Sequence, residues 1–249
     1  MPLAFEGLRL NVARSDFISN RLDYGEILAI VGPSGSGKSH LLSCLAGLRT
    51  PLAGSIRYYG QTFSNSRTRR QLVSSLGIAF QHSGLIHSLT VLENVVLAYR
   101  CRRALGGERL SDEEIKEQAQ LRLALVGVAD KANNYPHEIF EGERRCVAIA
   151  RALAHGTKIV LLEEPILGMS SQKRTRILEL LSAVLTIRAV DAIALFTADA
   201  RGLDNLPTRY LDLAPGQAPL SLPLDLPREE VPSAKRAILA NHDTISSKV

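Results

Sequence analysis

Cysteine is scarce. The 249-residue chain holds three, Cys44, Cys101 and Cys146, far apart and odd in number. That spacing excludes a disulfide framework and a C-x-x-C metal site, and it points to a reducing compartment. Long apolar runs are missing too. The longest candidate, residues 180–196, is broken by Arg188 and Asp191, short of the roughly 18–20 uninterrupted apolar residues of a spanning helix. Any membrane connection is therefore expected to run through a partner. The opening MPLAFEGLRL has neither the basic start nor the apolar core of a signal peptide. Aromatics make up only 5% of the residues, and the basic side chains fall in small groups (67–70, 100–103, 144–145) without aromatic interleaving, so no nucleic-acid partner is expected. A net charge of +5 fits a triphosphate ligand or a membrane surface without choosing between them. No internal repeat or low-complexity tract occurs. What remains is globular in composition, 45% hydrophobic and 22% charged, and long enough to bury a substantial core.

The chain is organised around residues 27–46, ILAIVGPSGSGKSHLLSCLA. An apolar run stops at Gly32, a glycine- and serine-rich turn follows, and Lys38 and Ser39 open a second apolar stretch. The spacing G-x-x-x-x-G-K-[ST] is met by Gly32, Gly37, Lys38 and Ser39, with Pro33, Ser34, Gly35 and Ser36 between and His40 after. Glycines let the backbone wrap a phosphate and turn several N–H groups toward it, and the helix N-terminus adds a favourable dipole. Lys38 is expected to reach the β- and γ-phosphates of a nucleoside triphosphate, and the Ser39 hydroxyl to ligate Mg²⁺.

Along the chain, residues 3–31 read as short strands with a turn at 23–26. The helix from Lys38 ends near Gly47, residues 54–60 alternate like a strand, 61–75 are polar loop and helix, and 76–80 make a strand ending in Gln81. From Leu89 to about Ala129 the pattern is helical, with Thr90 as a cap and Ser111–Glu114 as a capping box. Further helices are expected over 143–154 and 172–186, and strands over 159–162 and 192–196. Residues 210–213 with Pro215-Gly216 read as a last hairpin. The tail from Ala214 carries five prolines and is expected to be flexible, with a short helix possible at 234–240. A phosphate loop needs a carboxylate near its metal. IVLLEEP supplies two, Glu163 to hold Mg²⁺ and Glu164 to orient the attacking water.

The order GPSGSGKS, GIAFQ, a helical stretch, a glycine/arginine turn into VAIARALA, then IVLLEEP resembles the ATP-binding subunit of ABC transporters over about residues 3–217. The resemblance implies an α/β fold: a RecA-like P-loop NTPase core with an antiparallel β subdomain and a helical subdomain near 90–150. It implies one such domain over 1–217, with 218–249 as a proline-rich tail. It implies ATP and Mg²⁺ as cofactors, transmembrane permease subunits as partners, and a second ATP-binding subunit, identical or different, pairing head to tail. It places the chain in the cytoplasm, peripheral on the inner face of a membrane. Gln81 falls where the family senses metal and the membrane partner, and HSGLIHSLTVLENV where it receives a coupling helix.

Several positions depart from the family pattern. The signature, contributed in trans, reads Ile139-Phe140-Glu141-Gly142-Glu143 in place of LSGGQ, so Phe140 removes a hydroxyl and Glu141 brings a carboxylate toward a triphosphate, with Arg144 and Arg145 available to pair with Glu141 or Glu143. Ala198 stands where the family has a histidine, Ser170 where a loop ends in aspartate, and Glu163 where the metal-side acid is aspartate. No aromatic takes the adenine-stacking place; Phe5 and Phe17 are the nearest. Together these departures lead to the expectation that ATP·Mg²⁺ is bound and hydrolysed slowly or not at all. Gly168 and the FQ-x-SG-L-I run resemble lipid-transport subunits of the mammalian-cell-entry type, whereas Gly142–Arg145 resembles lipopolysaccharide-export subunits, and amino-acid or lipoprotein transport stays open. The alternative reading is a regulatory pseudo-ATPase or a nucleotide-dependent dimerising switch outside any transporter.

Overall fold

The structure, a computed structural model, describes residues 1–10, 17–62, 73–104, 110–154, 156–204, 206–213 and 221–223. The expected tail, with its helix at 234–240, lies outside the described residues except for 221–223, as does most of 61–75. In chain order the elements are β1 (Leu3–Arg9), β2 (Ile18–Leu22), β3 (Glu26–Val31), α1 (Lys38–Leu45), β4 (Ala53–Tyr58), β5 (Gln61–Thr62), β6 (Leu76–Ala79), α2 (Val91–Ala104), α3 (Asp112–Leu125), α4 (Glu141–Ala152), β7 (Ile159–Glu163), α5 (Ser171–Thr186), β8 (Ala192–Thr197), β9 (Arg209–Asp212) and β10 (Ser221–Pro223).

Two sheets form. One is antiparallel, in the order β2-β1-β4-β5. The other runs β10-β9-β3-β8-β7-β6, with every pairing parallel except β10 on β9. The central strands β3, β7 and β8 read as continuous apolar runs because both faces of a parallel sheet are covered. Alternate residues divide accordingly. Ile27, Ala29, Val160, Leu162, Ile193 and Leu195 pack into a core shared with the later helices. Leu28, Ile30, Ile159, Leu161, Ala194 and Phe196 pack into a second core with α1 and the antiparallel sheet, including Leu3, Phe5 and Tyr58. Each fully buried Leu, Ile or Val among them contributes roughly 1.5–3 kcal/mol. Arg209 joins the sheets: Nε and Nη2 donate to the two carboxylate oxygens of Glu26 at 2.6 and 3.0 Å, and Nη1 donates to Asn20 Oδ1 at 2.9 Å.

Local signals act as expected at most boundaries. Gly47 takes φ +69 just past α1, and its N–H donates to the Cys44 carbonyl. Thr90 and Glu93 form a reciprocal cap before α2, and Ser111 and Glu114 another before α3. Helix α4 begins at Glu141, two residues before the expected start, because the Glu143 carboxylate reaches back to the Phe140 N–H at 3.0 Å and caps the earlier turn. The expected final hairpin pairs β9 with 221–223, farther along than Pro215-Gly216 suggests; Pro223 is tolerated because β10 is an edge strand.

Candidate functional site

Strand β3 delivers the phosphate-loop segment to the carboxyl end of the parallel sheet, where β7 and β8 also end. The loop is held from below: the Gly32 N–H donates to the Thr197 carbonyl at 3.2 Å, and the Ser36 N–H to the Pro33 carbonyl at 3.2 Å. Gly32 is required for space, since a Cβ there would lie 2.6 Å from Ser36 Oγ and 3.3 Å from Leu213 Cβ. Gly35 and Gly37 are required for conformation, at φ +80 and +96. Gly37 is the N-cap of α1, and no side chain caps that helix start. The first N–H groups of a helix have no partner within it, and the loop that precedes them exposes Pro33, Ser34 and Gly35.

Lys38 is buried, and its Nζ donates to the carbonyls of Gly32 at 2.5 Å and Pro33 at 3.0 Å. Burial pulls its ammonium below the ordinary 10.5, while the negative charges of Glu164 and Glu163 oppose that shift. Ser39 Oγ donates to Glu163 Oε1, and the Gln81 backbone N–H donates to Glu163 Oε2 at 3.1 Å. One buried carboxylate thus joins the start of α1, the end of β7 and the second residue after β6. The same hydroxyl and carboxylate are hard oxygen donors of the kind Mg²⁺ takes, with phosphate oxygens and water completing its shell. Among the described residues no group of three His, Cys, Asp or Glu side chains is placed to hold a metal by itself. His40 is half-buried; burial, then the nearby Arg49 charge, lowers its imidazole from the ordinary 6.5.

Glu164 follows at φ +46, an uncommon conformation for a non-glycine residue, with its N–H on the Phe196 carbonyl at 2.7 Å. Its carboxylate turns toward the end of β8: Oε2 accepts from Thr197 Oγ1 at 2.9 Å, and Oε1 accepts from the Ala198 N–H at 2.7 Å. Ala198 is therefore beside Glu164, where its methyl group supplies no donor.

The segment 139–143 forms the entry to α4. Phe140 is 81% exposed. Glu141 is paired with both neighbouring arginines, its Oε2 taking Arg144 Nη2 at 2.8 Å and its Oε1 taking Arg145 Nη2 at 3.2 Å. The expected repulsion of a bare carboxylate is therefore relieved, and what Glu141 brings to this surface is chiefly bulk. Glu143 is turned inward, its carboxylate shared between the Phe140 N–H and Lys173 Nζ, which leaves it no reach toward a ligand outside. Gly142 approaches the loop after Glu164 so closely that a Cβ would sit 2.6 Å from the Gly168 carbonyl oxygen. Ser170 caps α5, accepting from the Lys173 N–H at 3.4 Å.

Sequence reasoning missed the clamps that α4 and α2 supply. Arg145, 3% exposed, donates to the carbonyls of Gln81 (2.8 Å) and Leu167. Arg151, at the other end of α4, holds the carbonyls of Ser83 and Gly84, each at 2.7 Å. Buried Asn94 pins 86–90 by accepting the Ile86 N–H and donating to the Ile86, Leu89 and Thr90 carbonyls. All three bind backbone, and a backbone partner leaves no residue-type signal in sequence.

The family pattern described as ABC transporter matches residues 16–167. The sulfate/thiosulfate import ATP-binding protein CysA of Pseudomonas aeruginosa is 38% identical over 159 residues, 64% of this chain and 47% of that protein. The methionine import ATP-binding protein MetN of Carboxydothermus hydrogenoformans is 36% identical over 186 residues, 74% of this chain and 53% of that protein. The chain spans about half the length of these curated relatives. The dimeric structure of MJ0796, a bacterial ABC transporter cassette, superposes with a TM-score of 0.80 over 90% of this chain and 99% of that one at 24% identity, a likeness of fold. No helix among the described residues is long and apolar enough to cross a membrane. With a matched pattern running from β2 through the acid pair at the end of β7, this chain belongs to the ABC transporter family, as an ATP-binding domain.

Proposed function

We propose that the chain binds ATP·Mg²⁺ and serves as the ATP-binding subunit of a transporter, lying in the cytoplasm against membrane permease subunits and pairing with a second ATP-binding subunit. The observation that carries the reading is the junction of Lys38, Ser39, Gln81 and Glu163 at the open end of the parallel sheet, beneath the uncapped start of α1. Residues 32–39 wrap the phosphates with backbone N–H groups, and Lys38 exchanges its two carbonyl partners for phosphate oxygens. Ser39, Glu163 and the Gln81 side chain hold Mg²⁺, which neutralises phosphate charge when bound. Glu164 orients the attacking water.

Turnover is proposed to be slow, below about 1 s⁻¹. Phe140 offers no hydroxyl to a partner's triphosphate, Glu141 fills space that glycine leaves open, Ser170 replaces an aspartate, and Ala198 supplies no imidazole beside Glu164. The relatives above are named for import of sulfate or thiosulfate and of methionine, and none for a lipid. The lipid reading gains nothing from them, so the cargo is assigned here to the permease and not to this chain. The test is purification of the native complex from membranes with identification of the co-purifying chains. An integral membrane permease supports the proposal; a soluble partner alone supports the regulatory alternative that Phe140 and Ala198 also favour.

A further inference from the structure

Thr197 closes β8 and is 2% exposed. Its backbone and side chain face two different parts of the site. The carbonyl accepts the N–H of Gly32, the first residue of the phosphate loop. The hydroxyl lies 2.9 Å from Glu164 Oε2 and 3.0 Å from the Asp199 carbonyl, and it accepts the Asp199 N–H at 3.2 Å. A hydroxyl has one proton to give. Of its two acceptors the carboxylate is charged and makes the stronger bond, so the proton is directed to Glu164 while a lone pair of the same oxygen keeps the Asp199 N–H. Ala198 adds its backbone N–H to the other carboxylate oxygen. Among the described residues these are the hydrogen-bond partners of the Glu164 carboxylate. They use two of its roughly four lone-pair directions and leave the others for a water. The φ of +46 at Glu164 turns the side chain back to where this pair can reach it.

We propose that Thr197 is the positioning residue of Glu164: its hydroxyl, together with the Ala198 amide, fixes the carboxylate relative to the phosphate loop that the same residue's carbonyl supports. The inference rests on the nucleotide reading and deepens it. A side chain one residue before Ala198 supplies the side-chain restraint on the water-orienting acid that the Ala198 methyl group cannot. Because Thr197 holds Glu164 through the hydroxyl and Gly32 through the backbone, removing the hydroxyl separates orientation of the acid from nucleotide binding.

The experiment compares wild type, Thr197→Val and Thr197→Ser in the full chain. ATP·Mg²⁺ affinity is read by titration calorimetry, γ-phosphate release by a single-turnover assay followed for hours, and folding by thermal melting. The expected result is a Thr197→Val affinity within about twofold of wild type with single-turnover release slowed about tenfold or more, as loss of alignment at a reacting centre produces. Thr197→Ser is expected to restore the rate to within about threefold. A purely structural role would shift melting and affinity together and would not show this split. The proposal is overturned if Thr197→Val releases phosphate at the wild-type rate, if Thr197→Ser is as slow as Thr197→Val, or if Thr197→Val loses nucleotide affinity. It is also overturned if wild type binds ATP·Mg²⁺ and releases no phosphate at all. Failure of wild type to bind ATP·Mg²⁺ would instead overturn the nucleotide reading beneath it.

Discussion

Gly142 lies in the first turn of α4 with its α-carbon against the loop that follows Glu164. Gly142→Ala would place a Cβ 2.6 Å from the Gly168 carbonyl oxygen, 3.3 Å from the Gly168 carbonyl carbon and 3.4 Å from Met169 Cα. All three are backbone atoms, so no side-chain rotation relieves the overlap, and the first contact is roughly 0.8 Å short of ordinary separation. Helix propensity acts in the other direction, since alanine is favoured over glycine by up to about 1 kcal/mol within a helix. Overpacking against backbone costs about 1–3 kcal/mol. The overlap is expected to win, leaving the variant roughly 1–2 kcal/mol less stable, a fall of about 2–8 °C in melting temperature for a domain of this size. The assay is urea unfolding of wild type and variant under identical conditions, with thermal melting as a second probe. Because an uncrowded glycine in a helix would gain stability on this change, the sign decides: a variant as stable as wild type, or more so, refutes the close approach of α4 to 166–169.

Two further outcomes are expected. Burial pushes the Glu143 carboxyl upward, but its bonds to Lys173 and to the Phe140 N–H, with the charges of Lys173 and Lys131, bring it below the ordinary 4.5. Its stabilisation is then full above pH 4.5 and lost as pH falls through the lowered value, so the urea-midpoint difference between wild type and Glu143→Gln should shrink as pH is lowered from 7 to 3; a constant difference would contradict this. Phe140→Ser with Glu141→Gly and Ala198→His is expected to raise single-turnover ATP hydrolysis about tenfold or more, by restoring donors at the reacting phosphate, and an unchanged rate would remove these positions as the reason for slow turnover.

The parts of this fold that a sequence displays are those written in residue type at short range. Apolar runs of five and four residues, stopping at Gly32 and Glu163, placed β3 and β7, and the glycines at 32, 35 and 37 marked the loop because backbone conformation or space demands them. The pairing of Glu141 with Arg144 and Arg145 was also legible, being three and four residues apart on one helix. The start of α4 was misjudged because Glu143 caps the turn before it and so looks like the first helical residue. The remainder depends on contacts distant in sequence. Nothing local to Arg145 announces that it holds the carbonyls of Gln81 and Leu167, and nothing local to Thr197 announces Glu164, 33 residues earlier. These partners meet only once β6, β7 and β8 lie side by side.

The central claim is that residues 32–39 grip the phosphates of a nucleotide, and titration calorimetry of ATP·Mg²⁺ into wild type and Lys38→Ala tests it most directly. Lys38 is the buried cation of that loop, and its loss removes a charge-assisted bond to the phosphates. Saturable binding by wild type, weakened about tenfold or more in a variant that still melts cooperatively, is the predicted result. Equal affinity in the two proteins would contradict the account.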